Sequence, residues 1–231
     1  SRGEGGATEI RMKAMTIVLA THNPGKLAEL RSLFAALPIE VVPIRDIVPG
    51  YGAPSEDGAT FEENALKKAR AAADATQLVA IADDSGLEVD ALGGRPGVRS
   101  ARFAREGATD AENNAALLQA LDEVEDAARA ARFRCVIVLV DPFSDGQKPA
   151  VVEGRCEGAI ARSARGESGF GYDPLFIVAG GTSTFAELGE TEKNTISHRG
   201  KAARALLPHV EAMVEARLAE ARRITAARGS A

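Results

Sequence analysis

Four polar clusters hold the side chains that could do chemistry: residues 21–26, residues 56–57 together with 83–85, residues 169–173, and residues 193–199. Thr21, Asn23, Lys26, Lys193 and Arg199 are suited to binding anions. Glu56 and Asp84 are hard oxygen donors of the kind Mg²⁺ prefers. The loop Gly169-Phe-Gly-Tyr-Asp173 offers aromatic faces and a carboxylate, as would suit a base and its edge. Cations, a hard-metal donor pair and aromatics together point to a nucleoside polyphosphate. Each cluster alone has a plainer reading. Asp83-Asp84 could simply end a strand, Phe170 and Tyr172 could cap a core, and His198-Arg199 could be surface residues at a helix start. Arg99, Arg102 and Arg105 read as a solvated face.

The first cluster lies in a strand-loop-helix unit. Residues 16–20 form a short apolar run that reads as a buried strand. Asn23 is a good N-cap and Pro24 fits the first helical position, where its missing N–H costs nothing. Leu27, Leu30, Phe34 and Leu37 recur at helical spacing, predicting a helix from about 24 to 36. A helix N-terminus then faces away from the end of a buried strand, which suits phosphate or another anion. It is not a P-loop, because Leu27 follows Lys26, and Gly25 stands alone, so it is not a dinucleotide fingerprint. No Cys/His set fits zinc, and His22, His198 and His209 lack a nucleophile elbow.

The elements that must position these clusters follow in order. Ile39–Ile44 reads as a strand and 46–58 as a Pro/Gly-rich loop carrying Glu56 and Asp57. Thr60-Phe-Glu-Glu63 is a capping box opening a helix to about Ala75. It places Asn64 and Lys68 on one face, with Lys67 pointing elsewhere. Leu78–Ala82 reads as a strand that ends in a turn at Asp83-Asp84-Ser85-Gly86, and 87–92 as a further short strand. Side chains alternate along a strand, so the two aspartates should face opposite ways. Thr109-Asp-Ala-Glu112 is a second capping box, opening a helix to about Ala130. Residues 133–140 and 150–160 read as a hairpin joined by a turn over 141–147, 163–174 as a Gly-rich loop, and 175–178 as a last strand. Thr184-Phe-Ala-Glu187 caps a short helix. A long helix follows from about Ser197, with Pro208 as a kink. This is an α/β pattern without internal repeats or dividing linkers.

At 231 residues the chain makes one large domain, or one with two lobes. Residues 1–14 are Gly-rich and unpatterned, a disordered extension or an expression remnant, with Met12 or Met15 as the native start. The single domain covers 15–231. The net charge of −5 argues against a general nucleic-acid binder. No apolar run is long enough to span a membrane. Cys135 and Cys156 have no metal spacing and read as reduced core residues of a cytoplasmic protein.

The motifs Thr21-His-Asn-Pro-Gly-Lys26, Thr60-Phe-Glu-Glu-Asn-Ala65 with Lys68, Ala82-Asp-Asp-Ser-Gly-Leu87, Gly94-Arg-Pro-Gly97 leading to Ser100-Ala-Arg102, Gly169-Phe-Gly-Tyr-Asp-Pro174, Glu192-Lys193 and Ser197-His-Arg-Gly200 occur together and in order. Over roughly residues 16–210 the chain resembles the inosine triphosphate pyrophosphatase-like family of non-standard purine NTP pyrophosphatases. The resemblance implies an elongated mixed β-sheet with flanking helices, two lobes and a cleft between them. It implies Mg-dependent hydrolysis of ITP, dITP and XTP to the monophosphate and pyrophosphate, by a cytoplasmic homodimer. Thr21, His22, Asn23, Pro24, Gly25 and Lys26 would cradle phosphates. Asp84 would accept the proton of the attacking water and hold Mg²⁺ with Glu56. Ser85, Phe170, Gly171, Tyr172, Asp173, Lys193, His198 and Arg199 would bind nucleotide. Neither nucleic acid nor membrane is expected as a partner. A pyrophosphatase for other modified nucleotides and a non-catalytic nucleotide sensor are the competing readings.

Overall fold

The computed structural model describes residues 15–35, 37–144 and 148–229. The extension read over 1–14, the alternative start at Met12 and part of the 141–147 turn lie outside the described residues. Two parallel strands, β1 (Met15–Leu19) and β2 (Ile39–Pro43), flank helix α1 (Pro24–Phe34) in sequence. A short helix α2 (Ile44–Ile47) and helix α3 (Phe61–Thr76) lead to the long strand β3 (Ala80–Val89). Helix α4 (Asp110–Ala120) precedes the hairpin β4 (Ala130–Val140) and β5 (Ala150–Ile160), then β6 (Phe176–Val178), α5 (Glu190–Ile196) and α6 (His198–Gly229). The six described strands form one mixed sheet in the order β2-β1-β3-β4-β5-β6.

The register produces an elongated sheet. β3, β4 and β5 are antiparallel over nearly their full length. β1 pairs with β3 only at its start, Val18 with Ala80 and Leu19 with Ile81. β6 joins the opposite end of the ribbon, opposite Gly158–Ile160 of β5. Apolar packing divides accordingly. At the β1 end, Ile17, Leu30, Phe34, Ile81, Ile137 and Leu206 form a core on one face, and Val18, Phe61, Ala65, Ala69, Ala80 and Val138 form one on the other. At the β6 end, Leu87, Leu117, Phe133, Phe176 and Phe185 form a third.

Several elements differ from expectation. The turn expected at 83–86 is absent. Asp83, Asp84, Ser85 and Gly86 continue β3 and pair with Ile137, Val136, Cys135 and Arg134. Asp, Ser and Gly are turn formers, but here charged partners from three helices pair with both carboxylates within the strand. The strand ends at Val89, and 90–92 turns as a 3₁₀ segment. Thr60 caps α3 through Glu63 N–H, but the Glu63 carboxylate accepts from Ala59 N–H, so only half of that box forms. The box at Thr109–Glu112 is complete. Helix α4 stops at Ala120 rather than near 130, and α6 runs uninterrupted through Pro208.

Helix α6 lies against β5 at Gly154. A Cβ there would stand 2.1 Å from the His198 carbonyl oxygen and 2.5 Å from the Ala202 nitrogen. Both are backbone atoms, so the helix start can reach the sheet only over a glycine. Gly154→Ala is expected to lower the free energy of unfolding by about 2 kcal/mol in urea denaturation, the scale of overpacking. Unchanged stability would mean the helix can shift without loss.

Candidate active site

The site forms where β1 stops. The last β1–β3 hydrogen bond is Ala20 N–H to the Ile81 carbonyl, 2.8 Å. The chain then turns into α1 and leaves the edge of β3 without a strand neighbour. Further on, that edge is covered by the loop over 95–100, with Leu87 N–H donating to Ser100 Oγ at 2.9 Å. Gly86 makes this covering possible, since a Cβ would meet the Gly97 carbonyl oxygen at 2.4 Å. The gap between these two coverings is a cleft of about 290 Å³. Side chains from both faces of β3 adjoin it.

On one face, Asp84 is buried and faces α3. Its carboxylate accepts from Lys68 Nζ at 2.7 Å and from Asn64 Nδ2 at 3.3 Å. Lys68 also reaches Glu56 Oε1 at 2.8 Å, so one ammonium joins both carboxylates. Burial pushes the Asp84 carboxyl above the usual aspartate range, against the pull of Lys68. Burial works to raise Glu56 too, but there Lys68 wins and holds it low. Arg102 donates to the Glu56 carbonyl oxygen at 2.6 Å, so it braces this loop and is not the solvated side chain expected. Lys67 points elsewhere, as expected, and pairs with exposed Asp57.

On the other face, Asp83 is 1% exposed and begins a chain of ion pairs. Its Oδ2 lies 3.0 Å from Lys26 Nζ and 3.3 Å from Arg199 Nε. Arg199 also pairs with Glu29 and donates to Ser85 Oγ at 2.9 Å. Glu29 and Asp173 each accept from Lys193 Nζ at 2.7 Å. Burial raises the Asp83 carboxyl, but Lys26 and Arg199 overcome it and hold the group far below its usual range. The three cations expected to bind anions, Lys26, Lys193 and Arg199, are thus each already paired with internal carboxylates.

The β6 end supplies an aromatic wall. His198 is buried and stacks on Phe133, with centroids 4.6 Å apart. Its Nδ1 has no partner. Phe170 is half-buried, with Lys193 and Arg199 over its ring. Tyr172 is buried and donates to the Ser100 carbonyl at 2.9 Å, so it serves as core cap and cleft wall together. His198-Arg199 is therefore an interior pair, because α6 begins inside the molecule.

The cleft is lined by Thr21, His22, Asn23, Lys26, Glu56, Asp84, Ser85, Phe170, Gly171, Tyr172, Asp173, Lys193, His198 and Arg199. Two expected residues do not line it. Pro24 is exposed at the first turn of α1, and Gly25 packs beneath the Phe170 ring, where a Cβ would sit 2.5 Å from Cδ1. Asn23 caps α1 by accepting from Lys26 N–H at 3.1 Å. Glu29 was not foreseen, and no local spacing signals it, because it pairs with Lys193 and Arg199. Lys68 was placed on one helix face with Asn64 and in a motif, but was given no role in the site. Asp110 and Asn113 also line the cleft, unsignalled except by the capping box before them.

Among the described residues no group of three or more His, Cys, Asp or Glu side chains gathers as a metal cage. Glu56 and Asp84 form a two-carboxylate set already arranged around a cationic centre. That fits a hard divalent ion that takes few protein ligands and completes its shell with water and phosphate oxygens.

Fold and site together define an α/β protein whose cleft suits a nucleoside polyphosphate. The Ham1 family model matches residues 17–209, and the chain belongs to the Ham1 family. It is 54% identical over 188 residues to a dITP/XTP pyrophosphatase of Desulforamulus reducens, covering 81% of this chain and 92% of that one. It is similar to the solved structure of a HAM1 protein from Coxiella burnetii, with TM-score 0.77, 46% identity and coverage of 85% and 98%. The dITP/XTP pyrophosphatase structure from Mycobacterium abscessus aligns with TM-score 0.67 and 48% identity, covering 84% and 100%.

Burial holds the His198 imidazole well below its ordinary value of 6.5. The unfolded chain therefore binds the proton more readily, and stability present above pH 6.5 is lost as pH falls toward the folded value. Between pH 7 and pH 5.5 the wild type is expected to lose about 1 kcal/mol more than His198→Phe in urea denaturation. Equal losses would place a protonated imidazole in the folded state.

Proposed function

We propose that the protein hydrolyses the non-standard purine nucleoside triphosphates dITP, ITP and XTP to the monophosphate and pyrophosphate, with Mg²⁺ as cofactor. The observation carrying this reading is the order of groups along one cleft. The N-terminus of α1 with Lys26 and the Asp84 carboxylate adjoin at one end, the His198 imidazole lies farther along β3, and the Phe170 ring reaches back over Gly25 at the start of α1. Phe133, on which His198 stacks, pairs with Leu87, about 10 Å along β3 from Asp84.

Thr21, Asn23 and Lys26 hold phosphate oxygens, helped by the open N–H groups of α1. Asp84 accepts the proton of a water aimed at the α-phosphorus; its raised affinity for protons suits a base. Lys68 keeps Asp84 and Glu56 together and oriented. Asp84 and Glu56 would hold Mg²⁺, which would supply neutralisation of phosphate charge. Phe170 stacks on the base while His198 and the Lys193–Asp173 pair face its edge. A 6-oxo group can accept from a buried donor there, whereas a 6-amino group leaves that donor unpaired. Ser85 and Arg199 bind between the two ends. The enzyme acts in the cytoplasm as a homodimer, as its resemblance implies. No described helix is long and apolar enough to cross a membrane.

The test is product analysis with Mg²⁺ over ITP, dITP, XTP, ATP, GTP, dUTP and CTP, scoring pyrophosphate separately from orthophosphate, for wild type and Asp84→Asn. Pyrophosphate from the 6-oxo, non-standard purines with little from ATP is expected. Asp84→Asn should lower kcat at least a hundredfold while nucleotide still binds. Orthophosphate release would contradict the bond assignment. Tight ITP binding without wild-type turnover would make the protein a sensor.

A further inference from the structure

The second capping box opens a helix for which the reaction as described has no use, yet its first turns lie at the cleft rim. Asp110 and Asn114, one turn apart on α4, both reach Gly171. Asp110 Oδ2 accepts from Gly171 N–H at 2.6 Å, and Asn114 Nδ2 donates to the Gly171 carbonyl at 2.9 Å. Both polar groups of one loop residue are thus held by a single helix face.

Gly171 joins the two aromatic residues of the cleft wall, Phe170 and Tyr172. It has φ +62°, and Gly169 just before has φ +80°. Two glycines in left-handed conformations give this loop little stiffness of its own. Its other ties include Asp173 Oδ2 accepting from Phe170 N–H at 2.9 Å and from Lys193 Nζ at 2.7 Å, and the Tyr172 hydroxyl donating to the Ser100 carbonyl. The helix is itself anchored to that same neighbouring segment. Asn113 donates to the Ala101 carbonyl at 3.2 Å and accepts from Ala104 N–H at 3.0 Å. Helix α4 therefore ties the loop that covers β3 to the loop that carries the aromatic wall.

We propose that Asp110 and Asn114 are positioning residues that fix the base-facing wall by clamping Gly171. The clamp preorganises the Phe170 ring against the bound base, so its contribution falls on binding and not on the chemical step. Neither residue touches Asp84, Lys68 or Lys26 in any recorded hydrogen bond or ion pair. The proposal rests on the nucleotide-binding reading of this cleft.

The experiment measures the Kd of ITP and of ATP by calorimetry in EDTA, then KM and kcat with Mg²⁺, for wild type, Asp110→Ala/Asn114→Ala and Asp110→Asn. The double variant is expected to raise Kd and KM for ITP about tenfold, the scale of two hydrogen bonds, with kcat within about twofold. Asp110→Asn keeps an acceptor and should stay near wild type. An unchanged Kd in the double variant would overturn the clamp. So would equal losses in kcat and affinity with a lowered Tm, which mark a merely structural role. Wild type binding ATP as tightly as ITP would refute the base filter alone; the clamp is then judged by the same Kd shift on either nucleotide.

Discussion

The structure depends on an alternating line of charges, Lys26, Asp83, Arg199, Glu29, Lys193 and Asp173, all buried but the half-buried Lys26. It draws α1, β3, α5, α6 and the 169–173 loop to one place. Three cations face three carboxylates, so the line is balanced. Its members are too buried to be left alone: stripping one partner from such a pair costs about 3–5 kcal/mol. Apolar residues of similar volume would hold these elements at least as well. The reason to keep six charges inside is therefore the cleft beside them. Preorganised cations meet a polyphosphate without having to reorient when it arrives.

Topology explains how one cleft uses both faces of a strand. Asp83 and Asp84 point to opposite sides of the sheet, as alternation requires. A strand paired on both edges would keep those sides apart. Because β1 ends at Leu19 while β3 continues to Val89, the edge beside 82–86 has no strand neighbour and the two sides meet across it. The gap lies at the carboxyl end of a parallel strand, where open α/β sheets commonly bind ligands. Close backbone approaches complete it: Gly86 admits the 97–100 loop and Gly154 admits the start of α6.

Much of this was legible in the sequence, for local reasons. The Asn23 cap, the helix face shared by Asn64 and Lys68, the complete box at Thr109 and the opposed aspartates are set by short-range spacing, and all are observed. The wrong boundary at 83–86 arose because local turn chemistry was read without the partners that override it. Lys26, Lys68 and Arg199 come from three helices, and no window of sequence shows them meeting a strand. Glu29 was missed for the same reason, since its partners are 164 and 170 residues away. Seen alone, His198 and Arg199 could equally be surface residues, because a helix start is usually exposed. Here α6 begins inside, over a glycine. Pro24 and Gly25 belong to the phosphate motif by position, but they build the helix start and the seat of Phe170 and do not line the cleft.

The central claim is that Asp84 directs water onto the α-phosphorus of a nucleotide laid along β3. Hydrolysis of ITP in ¹⁸O-enriched water, with both products read by mass spectrometry, tests it most directly. One ¹⁸O in inosine monophosphate and none in pyrophosphate is the expected result. The label in pyrophosphate would place the attack on the β-phosphorus and contradict the assigned position of the substrate.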